Sequence, residues 1–166
     1  MSEPYSIFTY RYFLHRFPDL CILAVDELSG EVCGCVVGKI DVEKYNNKSS
    51  FDNIAADDGD REDDEGSIAT ITEKIIQPSS ILQTGYIGML AVRKSYRGKG
   101  IGKDLVQHVL TRMKRRQCAS VTLETEVSNV TAQRLYQNHF GFIREELLVR
   151  YYLTGADAYR LRLLFD

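Results

Sequence analysis

A nearly continuous apolar segment that leads into a glycine-rich turn constrains the fold more than any other feature of the sequence. Residues 86–92 (YIGMLAV) contain no charged side chain, which is typical of a strand buried on both faces of a sheet. The turn Arg97–Gly102 follows. A helix from Gly100 to about Arg116 comes next, with its apolar stripe at four-residue spacing on Ile101, Leu105, Val109 and Met113. This strand, turn and helix predict the centre of an α/β domain.

Other segments predict elements on both sides of this unit. A first helix begins with Ser2 as its cap and ends before Pro18. We expect strands at residues 20–26, 32–40, 119–126, 142–153 and 158–165, and a further short helix at 130–138. Because the strands do not alternate with helices throughout, this order predicts an α/β (α+β) fold with a mixed central sheet flanked by helices. It argues against a doubly wound nucleotide-binding fold.

The 166 residues suffice for a single domain, and one stretch of them differs in composition from the rest. Residues 41–80 carry 11 acidic and four basic side chains without sustained periodicity, which predicts a largely disordered surface insertion. An acidic docking loop is the alternative. No apolar run reaches the length of a membrane span, and the first 20 residues do not resemble a signal peptide. We therefore expect a cytoplasmic protein without membrane attachment.

The four cysteines are too few and too scattered for a disulfide framework. Cys33 and Cys35 are two residues apart in an apolar run, so on a strand they share one face. No second pair of Cys or His residues with ligand spacing accompanies them. We therefore expect buried free thiols and no metal site.

The glycine-rich turn is suited to hold a phosphate group. Nine basic residues lie between Arg93 and Arg116, and unpaired N–H groups at a helix start face an anion. The dinucleotide-binding motif does not fit, because Gly102 comes one residue early for its third glycine. The P-loop motif does not fit either, because Arg97 and Asp104 stand where it needs a glycine and a hydroxyl residue. A pyrophosphate suits the turn, and a solvated helix face is the alternative.

Two longer patterns connect the turn with a known family. Arg97–Gly102 fits R-x-x-G-x-G, and Asn129–Phe142 fits N-x-x-A-x-x-L-Y-x-x-x-F-G-F. In both motifs the sequence resembles the GNAT acetyltransferases, whose acetyl-CoA loop has the first form. The resemblance implies a GNAT fold and acetyl-CoA as the acetyl donor, with backbone N–H groups near Leu90 on the thioester carbonyl. It implies donor contacts from Leu90, Val92, Arg97, Gly98, Lys99, Gly100, Ile101, Gly102, Asn129 and Tyr136.

Further segments are similar to the catalytic subunits of NatC N-terminal acetyltransferase complexes. They are residues 2–5 (SEPY), 85–92 (GYIGMLAV), 123–127 (LETEV) and 150–152 (RYY). The resemblance implies acetylation of the α-amino group of nascent proteins in which Met precedes a hydrophobic residue. It also implies auxiliary subunits as partners and, through them, the ribosome. It implies peptide contacts from Glu3, Pro4, Tyr5, Tyr86, Tyr151 and Tyr152. Because that family has a strand and a helix before its SEPY segment, we expect this chain to lack both.

Two residues have the chemistry that acetyl transfer to an amine requires. Glu124 lies near the end of a predicted strand, on the face opposite Val121 and Leu123, and is the candidate general base. Glu126 shares that face and is the runner-up. The resemblance implies that Tyr136 is the acid for the CoA sulfur, and a half-buried structural tyrosine is the alternative.

Two other functions remain open from the sequence. The first is a GNAT enzyme that acetylates lysine side chains or small amines. The second is a noncatalytic acetyl-CoA-binding subunit, although such a subunit needs neither Glu124 nor Tyr136. Direct nucleic acid binding is not expected, because the phosphates of CoA account for the basic cluster.

Overall fold

The computed structural model of the chain describes residues 5–44 and 81–166. In chain order, the elements are α1 (Ile7–Arg16), β1 (Cys21–Val25), β2 (Val32–Lys44), β3 (Ile81–Val92), α2 (Ile101–Arg115), β4 (Cys118–Glu126), α3 (Val130–Arg134), β5 (Ile143–Leu148) and β6 (Ala158–Leu164). Short 3-10 helices lie at Pro18–Leu20 and Lys94–Tyr96. A π-helical turn, Leu135–His139, continues directly from α3.

The strands of the described ranges form one sheet in the order β1-β2-β3-β4-β6-β5. The pair β3–β4 is parallel, whereas β1–β2, β4–β6 and β5–β6 are antiparallel. Gly34 of β2 lies beside Ala91 of β3 and Gly38 lies beside Tyr86, so β2 and β3 also run in opposite directions. The expectation of a mixed sheet flanked by helices is confirmed.

Helix α2 supplies much of the core beside the sheet. Its predicted apolar stripe is confirmed, since Leu105, Val109 and Met113 are buried and Ile101 is half-buried. Val121 and Leu123 of β4 belong to the same cluster. Because side chains alternate along a strand, their burial turns Glu124 and Glu126 toward the other face of the sheet, as the sequence predicts.

The structure corrects the predicted start of the first helix. The cap is Ser6 and not Ser2, because the Ser6 Oγ accepts a hydrogen bond from the Thr9 N–H at 3.3 Å and the helix begins at Ile7. Ser2 itself lies outside the described residues.

The predicted strand ends also need correction. β2 continues past residue 40 to Lys44, and Lys39 forms an ion pair with Asp41 along it (Nζ to Oδ2, 2.7 Å). β3 begins five residues earlier than predicted, at Ile81. β5 ends at Leu148 and not at residue 153. The reason is a turn at Arg150, which has a φ of +51° and whose N–H donates to Asp157 Oδ1.

The predicted acidic insertion at residues 41–80 falls almost wholly outside the described residues, apart from residues 41–44, which belong to β2. None of the helices described is both long enough and apolar enough to cross a membrane.

Candidate active site

Strands β3 and β4 pair with each other only over their first halves. Their register runs from Gln83 opposite Cys118 to Tyr86 opposite Thr122. β3 nevertheless continues to Val92 and β4 continues to Glu126, where its other edge still pairs with β6. The two strands therefore part beyond Tyr86 and leave an opening in the sheet between them.

The backbone of Leu90 and Val92 faces this opening. On the edge of β3 that faces β2, the Arg93 N–H donates a hydrogen bond to Cys33 O at 2.8 Å. Because backbone polar groups point to alternate edges along a strand, those of Leu90 and Val92 point to the other side. In agreement, Val92 O accepts a hydrogen bond from Arg97 Nε at 3.1 Å, so Arg97 ties the glycine-rich turn to the end of β3.

The glycine-rich turn presents a row of free backbone donors. None of the N–H groups from Gly98 to Lys103 donates to another described residue. Gly98 and Gly100 have φ values of +77° and +84°, a conformation that costs other residues about 1–2 kcal/mol. A side chain built on either glycine would meet open space. Free N–H groups at the start of a 15-residue helix form a cradle that fits the pyrophosphate of CoA.

Gly102 connects the turn to an apolar wall. A Cβ at this position would lie 3.7 Å from Val92 and 4.0 Å from Leu90 and from Leu135 of the π-helical turn. The structure therefore brings together Leu90, Val92 and Gly102, three of the residues proposed to contact the donor, and places Leu135 beside them. These side chains suit the apolar part of a pantetheine arm.

Glu124 lies at the centre of a hydrogen-bonded network on β4. Its Oε2 accepts from the Tyr86 hydroxyl at 2.8 Å, and the Tyr5 hydroxyl lies 3.1 Å from the Tyr86 hydroxyl. Its Oε1 accepts from Arg160 Nε on β6 at 3.1 Å. The Glu124 side chain is only 8% exposed, which does not agree with a solvated acid at a strand end.

Gly88 allows the aromatic residues beside Glu124 to pack closely. A Cβ on Gly88 would lie 3.2 Å from the Tyr86 ring and 3.3 Å from the rings of Phe13 and Tyr5. These contacts are tighter than side chains normally make, so a larger residue here would require the rings to shift by a few tenths of an ångström. Helix α1 thereby places its buried Phe13 against β3 and holds the Tyr5 ring, 6.0 Å away, next to Tyr86.

The four predicted substrate tyrosines surround Glu124. Burial raises the pKa of Tyr86, and the neighbouring Tyr5 and Glu124 raise it further. Burial and the Glu124 carboxylate also raise the pKa of Tyr151. Burial, followed by Tyr151 and Glu124, raises the pKa of Tyr152 to about 12. These three phenols therefore stay protonated at neutral pH and can donate hydrogen bonds.

Tyr136 is a buried residue whose hydroxyl reaches the surface. Its side chain is 5% exposed and its ring meets Phe142 edge-on, with centroids 5.5 Å apart. The Tyr136 hydroxyl makes no hydrogen bond to a described residue. Every fully enclosed polar atom of the described side chains, in contrast, has a hydrogen-bond partner. The exposed part of Tyr136 thus includes its hydroxyl. Burial raises its pKa.

The remaining predicted residues have other contacts or are not described. Asn129 Oδ1 caps α3 by accepting from the Ala132 N–H at 3.1 Å, which leaves its amide N–H groups as donors. Glu126 accepts a hydrogen bond from the Ser128 hydroxyl. Neither is hydrogen-bonded to Glu124 or Tyr136 in the described part of the chain. Glu3 and Pro4 lie outside it.

Three residues of the candidate site were not predicted as site residues from the sequence: Leu135, Gly88 and Arg160. Gly88 carries no signal beyond being a glycine in a strand. Arg160 and Arg162 alternate with Leu161 and Leu163, so the polar face of β6 is readable from the sequence. The residue that Arg160 faces on the neighbouring strand cannot be read from the sequence, because the pairing of β4 with β6 is a tertiary contact.

No cluster of three or more potential metal ligands exists among residues 5–44 and 81–166. The opening presents one carboxylate, several phenols, an arginine and free backbone donors.

Comparison with known proteins agrees with this geometry. The profile of the acetyltransferase (GNAT) family matches residues 1–142. The chain belongs to the GNAT acetyltransferase family. Within it, the chain is 40% identical to N-alpha-acetyltransferase 30 of Xenopus laevis over 98% of this chain and 46% of that protein. It is 38% identical to N-alpha-acetyltransferase 30 of Saccharomyces cerevisiae over 97% of this chain and 73% of that protein.

A solved structure of a GNAT relative extends the comparison to three dimensions. The crystal structure of the NatC complex bound to Gag peptide and CoA contains a chain that is 38% identical, with a TM-score of 0.73 over all of this chain and 84% of that one. The predicted GNAT fold is thereby confirmed. This GNAT chain spans less than half the length of the Xenopus relative.

Proposed function

We propose that this chain is an N-terminal acetyltransferase that moves an acetyl group from acetyl-CoA to the α-amino group of proteins beginning with Met and a hydrophobic residue. The observation that carries the proposal is the opening between β3 and β4. The free donors of the glycine-rich turn and the phenol-bound Glu124 both belong to the strands and connections that border it. The N-alpha-acetyltransferase name of the relatives and the CoA-bound NatC structure support it.

The donor is held along the length of the opening. The N–H groups of Gly98–Lys103 bind the pyrophosphate, and Leu90, Val92 and Leu135 contact the apolar arm. The amide N–H groups of Asn129 are available to the same arm. Acetyl-CoA supplies the thioester carbonyl and a thiolate leaving group. The Leu90 N–H polarises that carbonyl, and one such backbone donor contributes about 10²–10³-fold in rate.

Glu124 removes a proton from the α-amine, directly or through one water. Its two oxygens already accept from Tyr86 and Arg160, and a carboxylate retains further lone pairs for the amine. An α-amine has a pKa of about 7.7–8.0, so a substantial fraction is neutral near pH 7 and a modest base suffices.

Tyr136 stabilises the departing sulfur. A thiol has a pKa of about 8.5, below that of a phenol, so complete proton transfer from Tyr136 is uphill. Its role is therefore chiefly to donate a hydrogen bond to the developing thiolate. The raised pKa keeps this hydroxyl protonated, and the partner-free geometry leaves it available.

The aromatic cluster selects the substrate. Tyr5, Tyr86, Tyr151 and Tyr152 offer phenol donors to an extended peptide backbone and an apolar wall to its second side chain. Burying a large aliphatic second side chain contributes about 1.5–3 kcal/mol. A peptide with an acidic second residue would lack this burial free energy, and its carboxylate would be poorly solvated next to Glu124. Glu3 and Pro4 are proposed to complete the same subsite.

Auxiliary subunits of a NatC-like complex are the proposed partners, and the cytoplasm is the proposed location, with the ribosome reached through those subunits. The similarity to a chain of the NatC complex supports the first of these. We propose no direct nucleic acid contact and no membrane attachment.

A peptide series tests the activity. Four peptides are compared with acetyl-CoA: Met-Leu, Met-Ile, Met-Asp, and Met-Leu with a blocked α-amine and a free lysine. We expect transfer to the Met-Leu and Met-Ile peptides. We expect little transfer to Met-Asp, because burying its carboxylate is costly. We also expect little transfer to the blocked peptide, because only about one lysine in a thousand is neutral near pH 7. Comparable lysine labelling would instead indicate a side-chain acetyltransferase. Tight acetyl-CoA binding without any transfer, even with auxiliary subunits added, would indicate a noncatalytic subunit.

A further inference from the structure

We propose that Arg160 is a positioning residue that keeps the Glu124 carboxylate charged and oriented, and that Glu146 in turn holds Arg160. The proposal rests on the function proposed above, in which Glu124 is the general base. A row of three charged residues across three neighbouring strands carries it, and none of the three belongs to the glycine-rich turn.

The strand register places these residues directly side by side. Glu124 of β4 is opposite Arg160 of β6, and Arg160 is opposite Glu146 of β5. Arg160 Nε lies 3.1 Å from Glu124 Oε1, and Arg160 Nη1 lies 2.9 Å from Glu146 Oε2. Opposite neighbours in antiparallel strands have the spacing that such pairs require. The backbone pairing thus fixes which cation faces Glu124.

Burial increases in steps toward Glu124. The side chains of Glu146, Arg160 and Glu124 are 52%, 36% and 8% exposed. A carboxylate this buried stays charged only if a cation or several donors compensate it. Arg160 is the one cation bonded to it among the described residues. Glu146 restrains the solvent-facing side of the guanidinium, so the pair does not depend on a freely moving side chain.

The two hydrogen bonds also fix the orientation of the carboxylate. Oε1 is held by Arg160 and Oε2 by Tyr86. If Arg160 is removed, Tyr86 remains as the one observed donor to Glu124. The carboxyl group can then rotate, and its buried charge loses the cation that neutralises it.

Other polar groups near Glu124 do not replace Arg160. The phenols of Tyr86, Tyr5, Tyr151 and Tyr152 face it from β3, from the segment before α1 and from the β5–β6 connection. Glu126, two residues along β4, is an acid. Lys39 of β2 lies 5.3 Å from the centre of the Tyr86 ring and is paired with Asp41. None of these supplies a cation in contact with the Glu124 carboxylate.

Arg162 provides a matched control on the same face of β6. It is 32% exposed and forms an ion pair with Glu145, so it resembles Arg160 in burial and charge. Its second contact is the Ser120 hydroxyl, 3.0 Å away, and not Glu124. A change at Arg162 therefore removes an equivalent surface ion pair without touching the base.

The test compares Arg160→Met, Arg160→Lys and Arg162→Met with the unchanged chain, using a Met-Leu peptide as the substrate. For Arg160→Met we expect kcat to fall about tenfold or more, with KM for acetyl-CoA unchanged within about twofold. Arg160→Lys, which retains the positive charge, should recover part of kcat. Arg162→Met should alter neither kcat nor KM.

A second measurement does not require transfer. Carboxyl carbon NMR of glutamate-labelled protein at neutral pH, with the Glu124 signal identified by Glu124→Gln, should show that signal displaced in Arg160→Met and unmoved in Arg162→Met, because only the first change removes a charged hydrogen-bond donor from Glu124. Glu146→Gln, which spares Arg160 itself, should displace the signal by a smaller amount and provides the test if Arg160→Met does not fold. An undisplaced Glu124 signal in these variants would overturn the role of Arg160. A chain that shows the displacement but transfers no acetyl group would overturn the proposed function and leave this pairing intact.

Discussion

At the scale of single residues, Glu124 differs from Glu126 in its contacts, although the two share a strand face. Glu124 is hydrogen-bonded to Tyr86 and Arg160, whereas Glu126 is bound by a local serine. We expect Glu124→Gln to lower kcat by about 10²–10⁴-fold with little change in peptide KM, because the amide cannot accept the amine proton. Glu126→Gln should keep kcat within a few-fold. Steady-state kinetics of both variants decides this, and the reverse ranking would make Glu126 the base.

Tyr136 offers a second test at this scale. Since its hydroxyl makes no hydrogen bond to a described residue, Tyr136→Phe should leave the melting temperature nearly unchanged while lowering kcat by at least about tenfold. Thermal unfolding and turnover are measured on the same preparation. A lower melting temperature with an unaltered rate would mean that the residue is structural.

At the scale of elements, the junction of β3, the glycine-rich turn and α2 is the proposed binding site of the donor. A methyl group at Gly102 would make ordinary contacts with Val92, Leu90 and Leu135, so Gly102→Ala should bind acetyl-CoA within about threefold of the unchanged chain. Gly102→Glu should abolish binding, because its carboxylate would enter the apolar wall next to the anion cradle. Titration calorimetry measures both. Equal affinity in all three proteins would exclude this turn from the site.

The β2–β3 connection gives a second prediction for an element. Because β2 and β3 are antiparallel neighbours, Lys44 and Ile81 lie at the same end of the pair and a short turn can join them. Replacing residues 46–79 with such a turn should keep catalysis and leave the melting temperature equal or slightly higher. Each doubling of loop length costs about 0.6 kcal/mol in closure entropy. A large drop in melting temperature would show that the removed segment packs on the domain, and a selective loss of turnover would show that it binds a ligand or partner.

At the scale of the whole molecule, the buried tyrosines predict how stability depends on pH. Burial raises the pKa of Tyr86 and Tyr136 above the ordinary value of 10.0, so above that pH the folded chain holds protons that the unfolded chain loses. The free energy of unfolding is therefore complete below about pH 10 and falls as the pH rises further. One tyrosine that stays protonated in the folded chain while it ionises in the unfolded chain contributes a slope of about 1.4 kcal/mol per pH unit.

Urea unfolding at pH 8, 9, 10 and 11 measures this slope. Tyr136→Phe serves as the matched control, because it retains the ring and removes the ionisable group. Its unfolding free energy should fall less steeply above pH 10 than that of the unchanged chain. Parallel slopes for the two proteins would show that Tyr136 ionises in the folded state as easily as in the unfolded one.

Much of the site was readable from the chain because its signals are local. The glycine spacing, the stripe of α2 and the alternation of Val121 and Leu123 with Glu124 are set within a few residues by strand and helix periodicity. Predictions from local sequence patterns were wrong where a contact in the folded chain decided the position at which an element begins or ends. Ser2 and Ser6 are equally good caps by type. Residues 149–153 have the composition of a strand, but the Arg150–Asp157 hydrogen bond turns the chain there.

By itself, then, the sequence determined the approximate elements, the glycine-rich turn before α2, the resemblance to the GNAT family and the candidate base. Each of these follows from side-chain period or from short motifs. Only the tertiary structure decided that β3 and β4 part beyond Tyr86, that Gly88 admits three aromatic rings, and that Arg160 faces Glu124. These features depend on register between strands that are distant in the chain. Pairing energy is similar for many registers, and packing of the whole core against α2 selects one of them.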